Sequence, residues 1–201
     1  MGHDIPDELI RVLRKALETK SHPELTLKEI AAEAGTSQEM IRYYYGNKDG
    51  LITAMMLESS RRIERTLSDL KTRLELRHEN ATRSIVTTLI RLYLSERPTT
   101  RVSLLEFQKG KSSIRDDYLA RRSNLIIGAL HDIILLMIER GVYRKTADAR
   151  HLALSMMVLS SHPIHLLRAL PSEWVTPEML ESEQWIDHVV SLFDSQHAPE
   201  D

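Results

Sequence analysis

The chain has 201 residues, of which 42% are hydrophobic and 28% are charged, and it contains no cysteine. This length is ample for a packed core. The lack of cysteine excludes a disulfide framework, a zinc–thiolate site and a thiol nucleophile. Lys plus Arg number 27 and Asp plus Glu number 29, so the formal net charge of −2 lacks the positive surplus common among nucleic-acid-binding proteins.

Targeting and membrane signals are not found in the sequence. The N-terminus has no basic stretch followed by an apolar run, so we expect no signal peptide. The longest apolar stretch, 125–138, is interrupted by His131 and Asp132 and is too short and too polar to span a bilayer. We therefore expect a cytoplasmic protein without a membrane partner.

The hydrophobic pattern is helical from end to end. Apolar residues recur at spacings of three and four, and no alternating strand pattern of useful length occurs. The sequence therefore predicts an all-α fold of about nine helices. After the first helix, which carries Leu9, Val12, Leu13, Ala16 and Leu17, the predicted helices are 27–34, 38–45, 48–76, 81–95, 100–108, 113–140, 146–170 and a last one that begins at Thr176-Pro177.

Two short predicted helices form a helix-turn-helix motif. Thr26 and Glu29 have the spacing of a capping box, which starts the first of these helices. Gly35 ends that helix, because glycine tolerates the left-handed conformation found after helix C-termini. Ser37 then caps the second helix, and Ile41 anchors it in the core.

The outward face of the second helix is polar, cationic and aromatic. At about 100° per residue, Tyr45 lies on the same side as Ile41, whereas the rest of the helix faces away or flanks it. Such side chains can contact base edges and phosphates in a major groove. The outward and flanking residues are Gln38, Glu39, Met40, Arg42, Tyr43 and Tyr44.

The stretch from Leu27 to Leu51 resembles the DNA-binding signature of the TetR (tetracycline-repressor-like) transcriptional regulators. The residues that carry the resemblance are L-x-x-I-A-x-x-A-G-T-S-x-x-M-I-R-Y-Y-Y-G-N-K-D-G-L. The resemblance covers roughly residues 5–57. It implies an N-terminal helix-turn-helix domain (1–52) followed by a helical ligand-binding and dimerisation domain (53–201).

The resemblance also implies which residues contact DNA. Lys48 matches a phosphate-contacting lysine, Thr26 matches a phosphate-contacting helix cap, and Lys28 lies where a basic contact is often found. Arg42 departs from the pattern, because many members carry tyrosine there, so the base preference cannot be copied from relatives. The predicted DNA-binding residues are Thr26, Lys28, Ser37, Gln38, Met40, Arg42, Tyr43, Tyr44 and Lys48.

The C-terminal helices are predicted to form a homodimer interface and an effector pocket. Their wide apolar faces suit burial on more than one side, and Pro163 should kink its helix. Soft or amphipathic side chains within these helices are the candidate ligand contacts. They are Tyr93, Phe107, Tyr118, His131, Met157 and His162.

The predicted function is a repressor that binds a palindromic operator as a dimer and is released by a small-molecule effector. One alternative is a metal-responsive regulator, since His162 and His165 have helical ligand spacing but lack an evident third ligand. The other is a helical adaptor without DNA binding. An enzyme is not expected, because glycine-rich phosphate loops and hydrolase signatures do not occur; no cofactor or metal is predicted.

The net charge hides an uneven distribution. Residues 171–201 contain eight acids and no Lys or Arg, whereas residues 1–57 hold seven basic and nine acidic residues. Local composition therefore does not itself predict DNA binding; the spacing of the motif does. We expect weak non-specific affinity for DNA and reliance on a few placed contacts.

Overall fold

The computed structural model describes residues 4–77, 80–121 and 126–197, with side chains described as far as 194. Those residues form eleven α-helices, one short 3-10 turn at His22–Glu24 and no strand, which confirms the all-α prediction. The helices are α1 (Ile5–Thr19), α2 (Leu27–Glu33), α3 (Gln38–Tyr45), α4 (Lys48–Leu76), α5 (Ala81–Ser95), α6 (Arg97–Gln108), α7 (Ser113–Arg121), α8 (Ile126–Glu139), α9 (Ala149–Leu166), α10 (Pro177–Leu180) and α11 (Glu183–His197).

The helix count exceeds the predicted one in two places. The stretch predicted as one helix, 113–140, is described as α7 and α8, and residues 122–125 between them lie outside the described residues. The helix predicted to begin at Thr176 is one turn long, and α11 starts separately. The second start has a local cause, because Ser182 Oγ accepts a hydrogen bond from the backbone N–H of Trp185 at 3.2 Å and so caps a new helix.

The predicted signals around the helix-turn-helix are confirmed. Thr26 Oγ1 accepts from the Glu29 N–H at 3.2 Å, and the Glu29 carboxylate accepts from the Thr26 N–H at 2.9 Å. Gly35 has φ +62°, the left-handed conformation that ends α2. Ser37 Oγ accepts from the Met40 N–H at 3.4 Å and begins α3.

The described residues divide into two compact units. The first is drawn from residues up to 61 and from 96–121. It therefore joins the three N-terminal helices with α6, which packs against α1, and with α7, which packs against α6. The second is drawn from 62–95 and from residue 126 onward. The long helix α4 contributes its first part to one unit and its second part to the other. The functional boundary after residue 52 stays a prediction.

A buried ionic cluster joins α1 to α6 in the first unit. Arg14 Nη1 donates to a carboxylate oxygen of Glu96 at 2.8 Å, and the side chains are only 19% and 7% exposed. Ser59 from α4 donates to the same carboxylate at 2.5 Å and lies 2.7 Å from the Thr99 hydroxyl. Each charged group is thereby hydrogen-bonded, which is the condition for burying charge without a large penalty.

The second unit has one hydrophobic core to which α4, α5, α8, α9, α10 and α11 all contribute. A buried polar group lies at its edge, where Thr82 Oγ1 donates to Asp194 Oδ1 at 2.7 Å and lies 2.9 Å from the Tyr143 hydroxyl. Burial raises the pKa of Tyr143 well above its usual value, so this hydroxyl stays neutral. None of the described helices has the length and apolar character needed to cross a membrane.

Candidate nucleic-acid interface

Helix α3 presents an exposed polar and aromatic surface. Tyr43 is 79% exposed and Tyr44 is 40% exposed, and their rings meet edge to face with centroids 5.0 Å apart. The Arg42 and Glu39 side chains are 54% and 78% exposed and lie 3.8 Å apart. A pair so exposed and so loosely formed contributes little to stability, so Arg42 is available to a partner.

Two residues on the opposite face hold α3 in place. Ile41 is fully buried. The Tyr45 hydroxyl donates to the Pro6 carbonyl at 2.9 Å, which ties the end of α3 to the start of α1. Burial, helped by the nearby Asp7 carboxylate, raises the pKa of Tyr45 to about 12, so the phenol keeps the proton that it donates.

The turn from α3 to α4 needs glycine at two positions. Gly46 has φ +77°, a conformation that other residues rarely adopt. Gly50 lies in the first turn of α4, where an added Cβ would come within 2.0 Å of the Tyr45 carbonyl oxygen. Asn47 Oδ1 accepts a hydrogen bond from the Gly50 N–H at 2.8 Å and so caps α4. The direction in which α4 leaves α3 is therefore set by backbone contact.

The Lys48 side chain makes internal contacts that the sequence does not reveal. Its Nζ donates to the carbonyl oxygens of His22, at 3.1 Å, and Leu25, at 2.8 Å, and the residue is half-buried. These contacts tie the start of α4 to the segment between α1 and α2. An ammonium has three donors, so one remains for the phosphate contact, which stays a prediction.

The ring of His22 extends this connection to α6. Its Nε2 lies 2.5 Å from Glu106 Oε1, and the side chains are 4% and 2% exposed. Lys109 also pairs with Glu106, and Ser112 Oγ donates to the same carboxylate at 2.5 Å. The Nδ1 atom of His22 is buried, and no hydrogen-bond partner for it exists within the described structure.

Burial and charge act on this cluster in opposite directions. Burial lowers the pKa of His22 below its usual value, and this outweighs the raising effect of Glu106. Burial alone would raise the pKa of Glu106, but hydrogen bonds from Lys109 and Ser112 and the field of His22 lower it. We infer a neutral imidazole that donates from Nε2 to an ionised carboxylate.

The remaining predicted DNA contacts lie in the same unit. Thr26, Lys28 and Ser37 are exposed near the starts of α2 and α3, and Gln38 and Met40 are half-buried on α3. Thr26 also donates its hydroxyl proton to the Glu29 carboxylate at 2.8 Å. Hydrogen bonds from Lys20 and Thr26 lower the pKa of Glu29 to about 2, so a negative charge stands beside that cap. The nine assigned roles stay predictions.

The six predicted ligand contacts are divided between the two units. In the first, the rings of Phe107 and Tyr118 meet edge to face at 6.2 Å, and the Tyr118 hydroxyl lies 2.6 Å from Ser60 Oγ. In the second, Tyr93 is buried in the core and Met157 packs against it. Of the other two, His131 is half-buried and His162 is exposed.

The two histidines of the metal alternative, His162 and His165, have no third ligand close to them among the described residues. The rings of His162 and His165 have centroids 6.1 Å apart. Across the described ranges, no three His, Cys, Asp or Glu side chains are grouped so that they could hold a metal ion.

Residues 9–55 match the family model of the bacterial regulatory proteins of the tetR family. That stretch runs from within α1 through α3 into the start of α4 and contains the whole helix-turn-helix. The N-terminal helix-turn-helix of this chain is therefore similar to that of the tetR-family regulators. None of the proteins with curated functions matches the chain closely enough to count as a relative.

Solved TetR-family structures share the fold along nearly the whole chain. A transcriptional regulator from Mesorhizobium loti is 16% identical with a TM-score of 0.72, covering 97% of each chain. FadR from Bacillus subtilis, solved with stearoyl-CoA, is 16% identical with a TM-score of 0.67, covering 92% of this chain and 97% of its own. NalD, the secondary repressor of the MexAB-OprM multidrug efflux pump in Pseudomonas aeruginosa, is 13% identical with a TM-score of 0.67, covering 98% of this chain and 96% of its own.

Sequence reasoning missed the cluster beneath the TetR-family motif. His22 and Glu106 belong to different segments, and no local pattern relates them. The two residues become recognisable as a pair only when the fold brings their buried, ionisable side chains together.

The His22 cluster predicts a pH-dependent stability. Because the folded state lowers the pKa of His22, the unfolded chain binds a proton near pH 6.5 that the folded chain does not, so stability falls as the pH drops below that value. Between pH 7.5 and 5.5, the melting temperature of His22→Gln should therefore fall less than that of wild type. Calorimetry at both pH values measures the difference.

The matched control is His151→Gln, because the His151 side chain is 84% exposed. That variant should keep the wild-type dependence on pH, including the part from His165, whose pKa is also lowered by burial and by His162. Identical pH dependence in wild type and His22→Gln would show that His22 does not titrate as described.

Proposed function

We propose that this chain is a TetR-family transcriptional repressor that binds a palindromic operator as a homodimer and is released by a small-molecule effector. The observation that carries the proposal is the exposed face of α3, on a helix anchored by Ile41 and Tyr45. A helix held from behind with polar, cationic and aromatic side chains in front suits insertion into a major groove.

The role that we propose for each exposed side chain follows from its chemistry. Arg42 reads a guanine or forks onto a phosphate, and Gln38 and Tyr43 contact bases or backbone next to it. The third donor of Lys48, at the positive N-terminus of α4, takes a phosphate. Since residues 1–57 carry more acids than bases, these placed contacts rather than bulk charge supply the affinity.

The proposed dimer interface is the outer surface of α8 and α9. These helices pack against each other. Apolar side chains this exposed on adjacent helices mark a surface that a partner covers, and a second copy would form a four-helix contact. The large apolar side chains that are 38–50% exposed there are Ile127, Leu135, Leu154 and Val158.

The proposed release mechanism uses α4, since one continuous helix of 29 residues contributes to both units. Effector binding among the C-terminal helices would shift α4, change the spacing of the two recognition helices and lower operator affinity, as a population shift between two arrangements. FadR, solved with stearoyl-CoA, supports a small-molecule effector, and NalD, a secondary repressor, supports repression rather than activation. The role places the protein in the cytoplasm with the DNA and includes no enzymatic step.

The first test is operator binding by Arg42→Ala. Footprinting and gel shift on the DNA upstream of the chain's own gene should show a protected palindrome for wild type. The variant should bind it about 5- to 150-fold more weakly, because a lost bidentate contact to a base costs about 1–3 kcal/mol. Arg65→Ala, at an exposed arginine of α4 outside the recognition helix, serves as control. The proposal fails if wild type protects no palindrome, or if both variants bind equally.

The second test addresses the dimer interface. Leu154→Glu places a charge within the exposed apolar surface of α9 and should convert the dimer to a monomer, because burying an unpaired carboxylate costs far more than the apolar contact that it replaces. Light scattering after gel filtration measures the mass. Leu76→Glu makes the same change at a leucine that is 80% exposed on α4, and it should stay dimeric. A dimeric Leu154→Glu would contradict this choice of interface.

A further inference from the structure

A basic groove lies on the second unit between the C-terminal half of α4 and α5. Its volume is about 560 Å³, within the range of small-molecule sites. Four arginines line it, Arg73 from α4, Arg77 directly after α4, and Arg83 and Arg91 from α5, and none of the described lining residues is acidic. We propose that this groove binds a small phosphorylated molecule, at a site separate from the operator contact.

The groove is formed by the regular faces of two helices. Its lining residues recur at intervals of three and four, as with Leu70, Arg73 and Leu74 on α4 and Ser84 and Thr88 on α5, so each helix contributes one continuous face. The lining along the first of these faces runs from Leu70 to Arg77, which is about 10 Å at the rise of an α-helix. A groove of this length accommodates a phosphate together with a small organic group.

The four arginines differ in how their charge is balanced. Arg83 pairs with Glu183 at 2.6 Å and with Asp187, and Arg91 lies 3.9 Å from Glu181. By contrast, the exposed Arg73 and Arg77 have no carboxylate within ion-pair distance anywhere in the described part of the chain. One pair is therefore held by carboxylates at the rim, and the other carries unbalanced positive charge.

Hydroxyl groups between the arginines complete the set of donors. Ser84, Thr87 and Thr88 line the groove and are half-buried. Their hydroxyls make no side-chain hydrogen bond to any described residue. A phosphate needs several donors around three strong acceptor oxygens, and planar guanidinium groups with hydroxyls beside them provide such a set.

The charge around the groove favours a small anion over an extended polyanion. Glu181, Glu183 and Asp187 stand at its rim, and residues 171–201 contain eight acids and no Lys or Arg. A DNA backbone or an anionic lipid surface laid across the rim would meet these carboxylates. A single phosphate between α4 and α5 meets the two unbalanced arginines instead.

Calorimetric titration of the full chain with inorganic phosphate and with phenyl phosphate tests this proposal. Wild type should bind both saturably. The double variant Arg73→Gln/Arg77→Gln should bind at least about tenfold more weakly, because each lost charge-assisted hydrogen bond removes a substantial part of the affinity. The matched control, Arg61→Gln/Arg65→Gln, removes the same charge from exposed positions of α4 outside the groove and should keep the wild-type Kd. Melting curves establish that both variants fold.

Three results would overturn the proposal. The first is the lack of saturable binding of either phosphate by wild type. The second is equal weakening in both double variants, which would reveal a general effect of charge. The third is that Arg73 and Arg77 matter only for binding to a non-operator DNA duplex or to vesicles of anionic lipid. None of these results bears on operator recognition, because α3 belongs to the other unit.

Discussion

The ammonium group of Lys48 is the contact on which the arrangement of the N-terminal unit depends. It is the first residue of α4, and it hydrogen-bonds two backbone carbonyls in the segment between α1 and α2. The His22 carbonyl also accepts from the Leu25 N–H at 3.3 Å, whereas a buried carbonyl left without a donor, as the Leu25 carbonyl would be, costs about 1–3 kcal/mol. The lysine therefore both closes that segment and fixes the start of α4. Helix α3 lies between these two points in the chain, and its orientation follows from them.

His22 links the Lys48 contact to α6. The backbone carbonyl of His22 accepts from Lys48, while its ring meets Glu106. A second buried pair, Arg14 with Glu96, joins α1 to the start of the same helix. Buried ion pairs add little net stability but are sensitive to geometry, because separating the partners leaves unpaired charge. We infer that α6 and the recognition helix move as one group, which gives a movement of α6 a physical route to the DNA-binding surface.

The local features of this chain could be predicted from sequence, because each depends on neighbouring residues. The Thr26–Glu29 capping box, the stop at Gly35 and the amphipathic face of α3 are examples. Contacts between distant segments could not. Arg14 and Glu96 are 82 positions apart, and neither carries a signal that names the other. The predicted DNA contact Lys48 shows the limit most clearly, because the motif suggests a partner outside the chain and the structure adds two inside it.

The central claim is that Lys48 positions the recognition helix from within the fold. Hydrogen–deuterium exchange of the DNA-free protein tests it most directly, since no phosphate is present. Lys48→Met should speed exchange in residues 22–26 and 38–45, whereas Lys15→Met, which removes an exposed surface pair with Glu33, should not. Unchanged exchange in Lys48→Met, together with a loss of operator affinity, would mean that Lys48 acts only on the DNA and would contradict the claim.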